Sequence, residues 1–324
     1  MEGELMLLAS VTLLFGIGLL VWGAERFVEG SAAIAKNLHV PPMVIGLTIV
    51  SLGTSLPEMI VSGVAAFDGN RDLGIGNVLG SNIANIGLVL GATALIAPFA
   101  VRSMTLKREI PVLFLVTFLA FALMADGELS RFDGICLIVA MVFFLLWITS
   151  VAMRDRHDPL VEEFTESIPD KMNMKASVMW FCIGLVVLFV SSKMVVWGAV
   201  EIAHAFGVSD LIIGLTIVAI GTSLPELVAS VASALKNEAD LAIGNVIGSN
   251  IFNLLLVLAM PGLIHPGVFS PEALLRDFPI MLGFTIALLV VAFGFKKGGK
   301  VTRFEGGLLV AAYSSYLYML YVQA

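Results

Sequence analysis

Apolar residues gather along the chain into ten stretches of about twenty residues each, the length an α-helix needs to cross a bilayer. They lie at residues 5–24, 42–67, 73–97, 111–125, 132–152, 176–199, 211–235, 241–264, 278–295 and 304–322. Nearly all the polar connections between them are short. This pattern predicts an all-α polytopic membrane protein with ten transmembrane helices. The one long hydrophilic connection, 153–175, carries Asp155, Asp158, Glu162, Glu163, Glu166 and Asp170 against four bases. It lacks the D-x-D-x-D-G spacing of a calcium-binding loop and reads as a solvated tether. The first residues, Met-Glu-Gly-Glu, are acidic where a secretory signal is basic, so the first stretch is expected to be a retained span.

Polar residues interrupt the apolar pattern in two matching places. Residues 46–58 read GLTIVSLGTSLPE and residues 214–226 read GLTIVAIGTSLPE. The match extends without a gap from 46–91 to 214–259 at a constant offset of 168, with 27 of 46 positions identical. A repeat of this kind decides architecture. Its copies begin on the second and seventh stretches, an odd number of spans apart, so they enter the membrane in opposite directions. Two inverted five-helix repeats follow, as in secondary transporters. The expected units are 1–152, a cytoplasmic connection at 153–175, and 176–324.

Each copy places a carboxylate at membrane depth, where an acid is costly and marks function. Pro57 and Pro225 remove a backbone donor and should break their helices, exposing carbonyls at residues 51–54 and 219–222. Those carbonyls, the hydroxyls of Thr54, Ser55, Thr222 and Ser223, and the carboxylates of Glu58 and Glu226 are all oxygen ligands. On the next stretch Asn77, Ser81 and Asn85 share one helical stripe, repeated by Asn245, Ser249 and Asn253. Asn77, Asn82, Asn245 and Asn250 are open to two readings, as ligands or as hydrogen-bond links between helices. Gly76, Gly80, Gly244 and Gly248 allow close helix approach. An all-oxygen set disfavours soft metals and suits hard cations: one Ca²⁺ or several Na⁺, with Mg²⁺ less well matched. His39, His157, His204 and His265 fall in or near predicted loops, away from this set.

Composition narrows the classes further. The chain is 59% hydrophobic and 13% charged, with mean hydropathy +1.00, which excludes an ordinary soluble domain. The net charge of −7 is spread over short loops, and no basic cluster points to nucleic acid. Cys136 and Cys182 sit in apolar runs and are expected to be free, small core or lipid-facing residues. With the N-terminus outside, 14 of the 18 Lys and Arg residues fall on the cytoplasmic side, leaving Arg71, Arg131, Lys193 and Arg276. Both termini are therefore expected to face away from the cytoplasm.

Two copies of G-T-S-L-P-E, each followed by G-N-[VI]-x-G-S-N-I-x-N, resemble the α-repeats of the sodium/calcium exchanger family, within the cation/Ca²⁺ antiporter superfamily. The bacterial inner-membrane members look closest, and the resemblance covers the whole chain. It implies Ca²⁺ and Na⁺ sites at the midplane between spans two, three, seven and eight. The ligands it implies are Glu58, Glu226, Thr54, Thr222, Ser55, Ser223, Ser81, Ser249, Asn85 and Asn253, with backbone oxygens at Ser51 and Ala219. It implies that spans one and six slide across the core. Some relatives, including potassium-dependent ones, carry Asp where this chain has Asn253, which argues against potassium dependence. The acidic residue that proton-coupled relatives place in G-N-A-x-E is also absent.

The expected function is Na⁺-driven Ca²⁺ efflux across a bacterial inner membrane, with the two ions and the lipid bilayer as partners. No cofactor and no obligate protein partner is implied. A cation/proton antiporter of the same fold and a non-transporting ion sensor are the alternatives. An intramembrane enzyme would need a Ser/His or paired-Asp arrangement that the sequence lacks.

Overall fold

A computed structural model describes residues 2–100, 106–155, 172–206, 219–293 and 300–323. The first repeat opens with α1 (Glu2–Leu38) and continues through α2 (Pro42–Ile45), a π-helical turn (Gly46–Val50), α3 (Ser51–Thr54) and α4 (Leu56–Phe67). Next come α5 (Arg71–Ala84), a π-helical turn (Asn85–Leu90), α6 (Gly91–Ile96), β1 (Phe99–Ala100), α7 (Leu106–Met124), β2 (Glu128–Leu129) and α8 (Arg131–Asp155). The second repeat holds α9 (Met174–Ala205), α10 (Ala219–Thr222), α11 (Leu224–Leu235), α12 (Ala239–Phe252), a π-helical turn (Asn253–Val257) and α13 (Ala259–Ile264). It closes with β3 (Gly267–Val268), a π-helical turn (Ala273–Asp277), α14 (Phe278–Phe293), β4 (Lys300–Val301) and α15 (Arg303–Gln323).

Each of the ten apolar stretches is mostly helical over its described residues, with breaks at Ser55 and Ser223. Among the described residues six helices are long and apolar enough to cross a membrane, or seven if the bent pair α2–α3 and α4 counts as one. The other three stretches are α7, which begins with Lys107, Arg108 and Glu109, α10–α11, and α15. Residues 211–218 of the seventh stretch, and most of the 153–175 connection, lie outside the described residues.

Burial separates a core from a peripheral pair. The apolar window of Ala239–Ile264 is 94% buried and that of Arg71–Ile96 is 72% buried, against 17% for α1 and 22% for α9. The core is therefore built from the helices that carry the repeated polar motif. At the crossing of the two repeats, a Cβ added to Gly244 would lie 2.7 Å from the Met43 carbonyl and 3.1 Å from Gly46 Cα. At Gly248 it would lie 2.7 Å from the Leu47 carbonyl. The small-residue expectation holds at Gly244 and Gly248, whereas at Gly76 and Gly80 an added Cβ would meet no atom of the described residues within 4 Å. Gly244→Val is expected to lower the melting temperature of the detergent-solubilised protein, an overpacking cost of about 1–3 kcal/mol.

The peripheral pair differs from expectation. The first span reads as 5–24 in sequence, yet α1 continues for 37 residues, about 55 Å, longer than a bilayer core is thick. Arg26 and Lys36, expected in the loop after it, lie on the helix. Arg26 is accommodated because its guanidinium lies 5.9 Å from the Trp22 ring centre and 5.2 Å from that of Trp180, and pairs with Glu29 at 2.7 Å. Glu29 also pairs with Lys236 at 2.9 Å, tying α1 to the end of α11. α1 and α9 run antiparallel in a fixed register. Gly30 lies against the Phe181 backbone, Gly184 against Phe27, Gly23 against Val187, Gly16 against Val195 and Gly198 against Leu13. Glycines at 16, 23 and 30 recur every seven residues, which keeps one seam of α1 against its partner.

Two short clips join the repeats. β1 pairs antiparallel with β4, and β2 with β3, so each clip takes one strand from each half. Matching capping boxes follow the strands. Ser130 N donates to Asp133 Oδ2 at 2.8 Å and Thr302 N to Glu305 Oε2 at 2.7 Å. Both cysteines are free, Cys182 exposed and Cys136 partly so.

Candidate ion-binding site

The prolines act slightly differently from expectation. The break falls at Ser55 and Ser223, whose ψ values of 5° and 7° leave the helical region. Pro57 and Pro225 then sit in the first turn of α4 and α11, where a missing N–H costs nothing. The described bend is 45° in the first repeat. It aims Glu58, on the first turn of α4, into the core. Glu226 takes the same place on α11, and both are buried to within 1%. Among the described residues neither glutamate makes an ion pair.

The two motifs meet across the repeat seam. Ser55 Oγ donates to Glu226 Oε1 at 3.4 Å, Thr54 Oγ1 to Asn245 Oδ1 at 3.1 Å, and Asn85 Nδ2 to Asn250 Oδ1 at 3.2 Å. Ser81 and Ser249 are buried on α5 and α12, and Asn85 and Asn253 each open a π-helical turn. Such turns are frequent at functional sites. The residues picked from sequence thus lie on the helices that form this seam. Ser51 is buried, its hydroxyl donates to the Gly46 carbonyl at 2.7 Å, and its own carbonyl accepts from Ser55 N at 3.0 Å. Thr222 is partly buried, and Ala219 is the first described residue of α10.

Asn77 and Asn245 take the linking role. Asn77 Nδ2 donates to the Glu58 carbonyl at 3.1 Å and to Ser62 Oγ at 2.9 Å. Asn245 Nδ2 repeats this with the Glu226 carbonyl at 3.5 Å and Ser230 Oγ at 3.1 Å. Each amide therefore fixes the first turn of the helix that carries the glutamate. Ser62 and Ser230 escaped the sequence reading, although they are identical in the two copies. Ser192 escaped it too: its hydroxyl, on α9, donates to the Gly221 carbonyl at 3.1 Å just before the second break.

Seven side-chain oxygens in this region are buried and have no hydrogen-bond partner. They are Glu58 Oε2, Glu226 Oε2, Asn82 Oδ1, Asn85 Oδ1, Asn253 Oδ1, Ser223 Oγ and Ser249 Oγ. Buried oxygens without donors are costly unless something positive satisfies them. Among the described residues no group of three or more His, Cys, Asp or Glu could hold a metal ion. The donor set is instead two carboxylates among neutral oxygens, the chemistry of a hard cation that must bind and leave.

The sodium/calcium exchanger protein family model matches residues 8–150 and 176–322. CaxA of Alkalimonas amylolytica is 48% identical over 317 residues, covering 98% of this chain and 99% of its own. Inner membrane protein YrbG of Escherichia coli (strain K12) is 41% identical over 319 residues, covering 98% of each chain. The structure of the sodium/calcium exchanger from Methanococcus jannaschii superposes with a TM-score of 0.82 at 33% identity, covering 97% of this chain and 98% of that one. With paired motifs meeting at two buried glutamates, and with similarity along its whole length, the chain belongs to the sodium/calcium exchanger family.

Proposed function

We propose that the protein is a secondary antiporter that admits Na⁺ and expels Ca²⁺ by alternating access, through ten membrane spans arranged as two inverted repeats, 1–152 and 176–324. The observation that carries this reading is the set of seven unpartnered buried oxygens, two of them on Glu58 and Glu226, which make no ion pair among the described residues. Ca²⁺ takes about 6–8 oxygens at flexible geometry, and two carboxylates balance its charge. The same oxygens divide among several Na⁺ ions, so either cargo satisfies the cage and both cannot fill it together. Glu58 and Glu226 supply the charge. Thr54, Thr222, Ser55, Ser223, Ser81, Ser249, Asn85 and Asn253 supply neutral oxygens, with the carbonyls of Ser51 and Ala219.

The test is ⁴⁵Ca²⁺ uptake into proteoliposomes loaded with Na⁺, against vesicles bearing a pH gradient alone. Uptake should follow the Na⁺ gradient and be absent under the pH gradient. Uptake driven by protons alone would make this a cation/proton antiporter, and Ca²⁺ binding without uptake would make it a sensor.

The proposed location is a bacterial inner membrane, with both termini outside and 153–175 in the cytoplasm. The two clips agree with the alternation of loops that this requires, since each joins loops expected on one face. Arg71 agrees as well, donating from the second loop to the His265 carbonyl at 2.8 Å in the eighth. On a background without cysteines, a cysteine at position 160 should react with an impermeant maleimide only after the cytoplasmic side is opened. Labelling in intact cells would invert the topology.

A further inference from the structure

The two repeats carry the same polar residues but do not use them alike. Ser55 Oγ in the first repeat reaches Glu226 Oε1 in the second, and Asn85 Nδ2 reaches Asn250 Oδ1. Exchanging the repeats turns these bonds into Ser223 with Glu58 and Asn253 with Asn82. Neither mirrored bond is made: Ser223 Oγ, Glu58 Oε2, Asn253 Nδ2 and Asn82 Oδ1 are all buried without a partner. Both asymmetries run in the same sense, with donors from the first repeat satisfied and the matching donors of the second left over. All four of these residues are exposed by no more than 1%. Water in bulk therefore does not make up the loss.

Two halves with matching sequence and opposite orientation have a simple property. If each adopts the other's conformation, the result is the same structure inverted across the membrane, similar in energy and open to the opposite side. In that inverted structure the Ser223–Glu58 and Asn253–Asn82 bonds form, and the Ser55–Glu226 and Asn85–Asn250 bonds are released. Partners and orphans change places, so neither state has a large advantage over the other.

We infer that Asn82 and Asn250 are positioning residues that set the balance between the two facing states, each accepting from the opposite repeat's asparagine in one state only. Asn250 holds Asn85 in the state seen here; Asn82 holds Asn253 in the inverted one. The inference rests on the antiport reading for its purpose but not for its test. Neither residue is among the ligands proposed for the cage, although Asn82 Oδ1 is one of the unpartnered oxygens near it, and the sequence left both open between ligand and link.

The test uses Cys136→Ser and Cys182→Ser as background, with single cysteines at the repeat-related positions Met59 and Leu227. Each follows its glutamate by one residue and is partly buried. The ratio of maleimide reaction rates at the two positions is measured in ion-free detergent solution. Asn250→Ala removes a bond from the present state, whereas Asn82→Ala removes one only from the inverted state. The two should move the ratio in opposite directions, each by about fivefold, the equilibrium worth of one neutral hydrogen bond.

The double variant should return to within about twofold of the starting ratio, as additive effects on one equilibrium require. Asn85→Ala deletes the same bond from its donor side and should move the ratio in the sense of Asn250→Ala, which covers a failure of that variant to fold. Shifts in the same direction, or no shift in either single variant, would overturn the inference. No Na⁺ or Ca²⁺ flux enters this readout. A protein that failed the ⁴⁵Ca²⁺ test but showed opposed shifts would lose its assigned cargo and keep its toggle.

Discussion

Glu58→Gln and Glu226→Gln each abolish Na⁺-driven Ca²⁺ uptake while the protein remains folded in the membrane. Either change leaves one carboxylate to face a divalent ion in a site exposed by about 1%. Stranding a charge in such surroundings costs about 3–5 kcal/mol, which is roughly 10²–10⁴-fold in binding or rate. The fold should tolerate the change because an amide of the same size replaces a carboxylate that has no basic partner among the described residues to strand. Backbone contacts around each position are retained: Asn77 and Asn245 bond the carbonyls of Glu58 and Glu226, not the side chains.

Thermal melting separates the two effects. Without ions the variants should melt at or above the wild-type temperature, since a buried acid has been removed. With millimolar Ca²⁺ the wild type should gain stability and the variants should not, because only a ligand that binds the native state raises it. Uptake at wild-type rates in either variant would remove that glutamate from the cage.

The glutamates were legible in sequence because two features agree on them: charge where lipid depth forbids it, and recurrence at a fixed offset. The inverted architecture was legible for the same reason, since parity follows from counting spans. What the sequence hid was hidden by chemistry that has no signature in composition. Residues 25–38 look like a loop because Glu25, Arg26, Glu29 and Lys36 interrupt the apolar run. In the structure two tryptophan rings and Lys236 accommodate Arg26 and Glu29, so the helix continues. Ser62 and Ser230 are small and neutral, and only their repetition set them apart. The π-helical turns at Asn85 and Asn253 depend on a shift in hydrogen-bond register that side-chain type does not announce. Residues 128–129 and 267–268 are too short to show strand alternation, so the clips appear only once the halves are assembled.

The motif's near-symmetry also has a consequence that reaches past the two glutamates. Ser51 corresponds to Ala219 in the second copy, so the hydroxyl that bonds the Gly46 carbonyl has no counterpart there. The Gly221 carbonyl, which corresponds to that of Gly53, is held by Ser192 from α9. The second break is thus tied to the peripheral pair, whereas the first is tied across the repeat seam, Ser55 to Glu226 and Thr54 to Asn245. α9 also touches the first break: its Leu185 side chain lies 3.2 Å from where a Cβ on Gly53 would stand.

If three Na⁺ exchange for one Ca²⁺, the ratio that the resemblance to sodium/calcium exchangers implies, a 100 mV inside-negative potential should raise the Ca²⁺ gradient that a fixed Na⁺ gradient sustains by about fifty-fold. The reasoning begins with charge in the site. Two carboxylates balance one Ca²⁺, whereas three Na⁺ leave one positive charge over, and the counterparts Asn85 and Asn253 are both neutral amides that cannot cancel it. With three Na⁺ entering for each Ca²⁺ leaving, one net charge moves inward per cycle. Moving that charge through 100 mV is worth about 2.3 kcal/mol, which corresponds to about fifty-fold in an equilibrium ratio. The sign follows directly: an inside-negative potential favours Na⁺ entry and Ca²⁺ exit. The measurement is the reversal point of ⁴⁵Ca²⁺ flux in proteoliposomes clamped with K⁺ and valinomycin. Exchange of two Na⁺ for one Ca²⁺ moves no net charge, so a reversal point indifferent to the clamp would establish that ratio instead. Asn253→Asp adds the missing carboxylate and should weaken the dependence on potential if the third Na⁺ crosses beside it; an unchanged slope would place the excess charge elsewhere in the core.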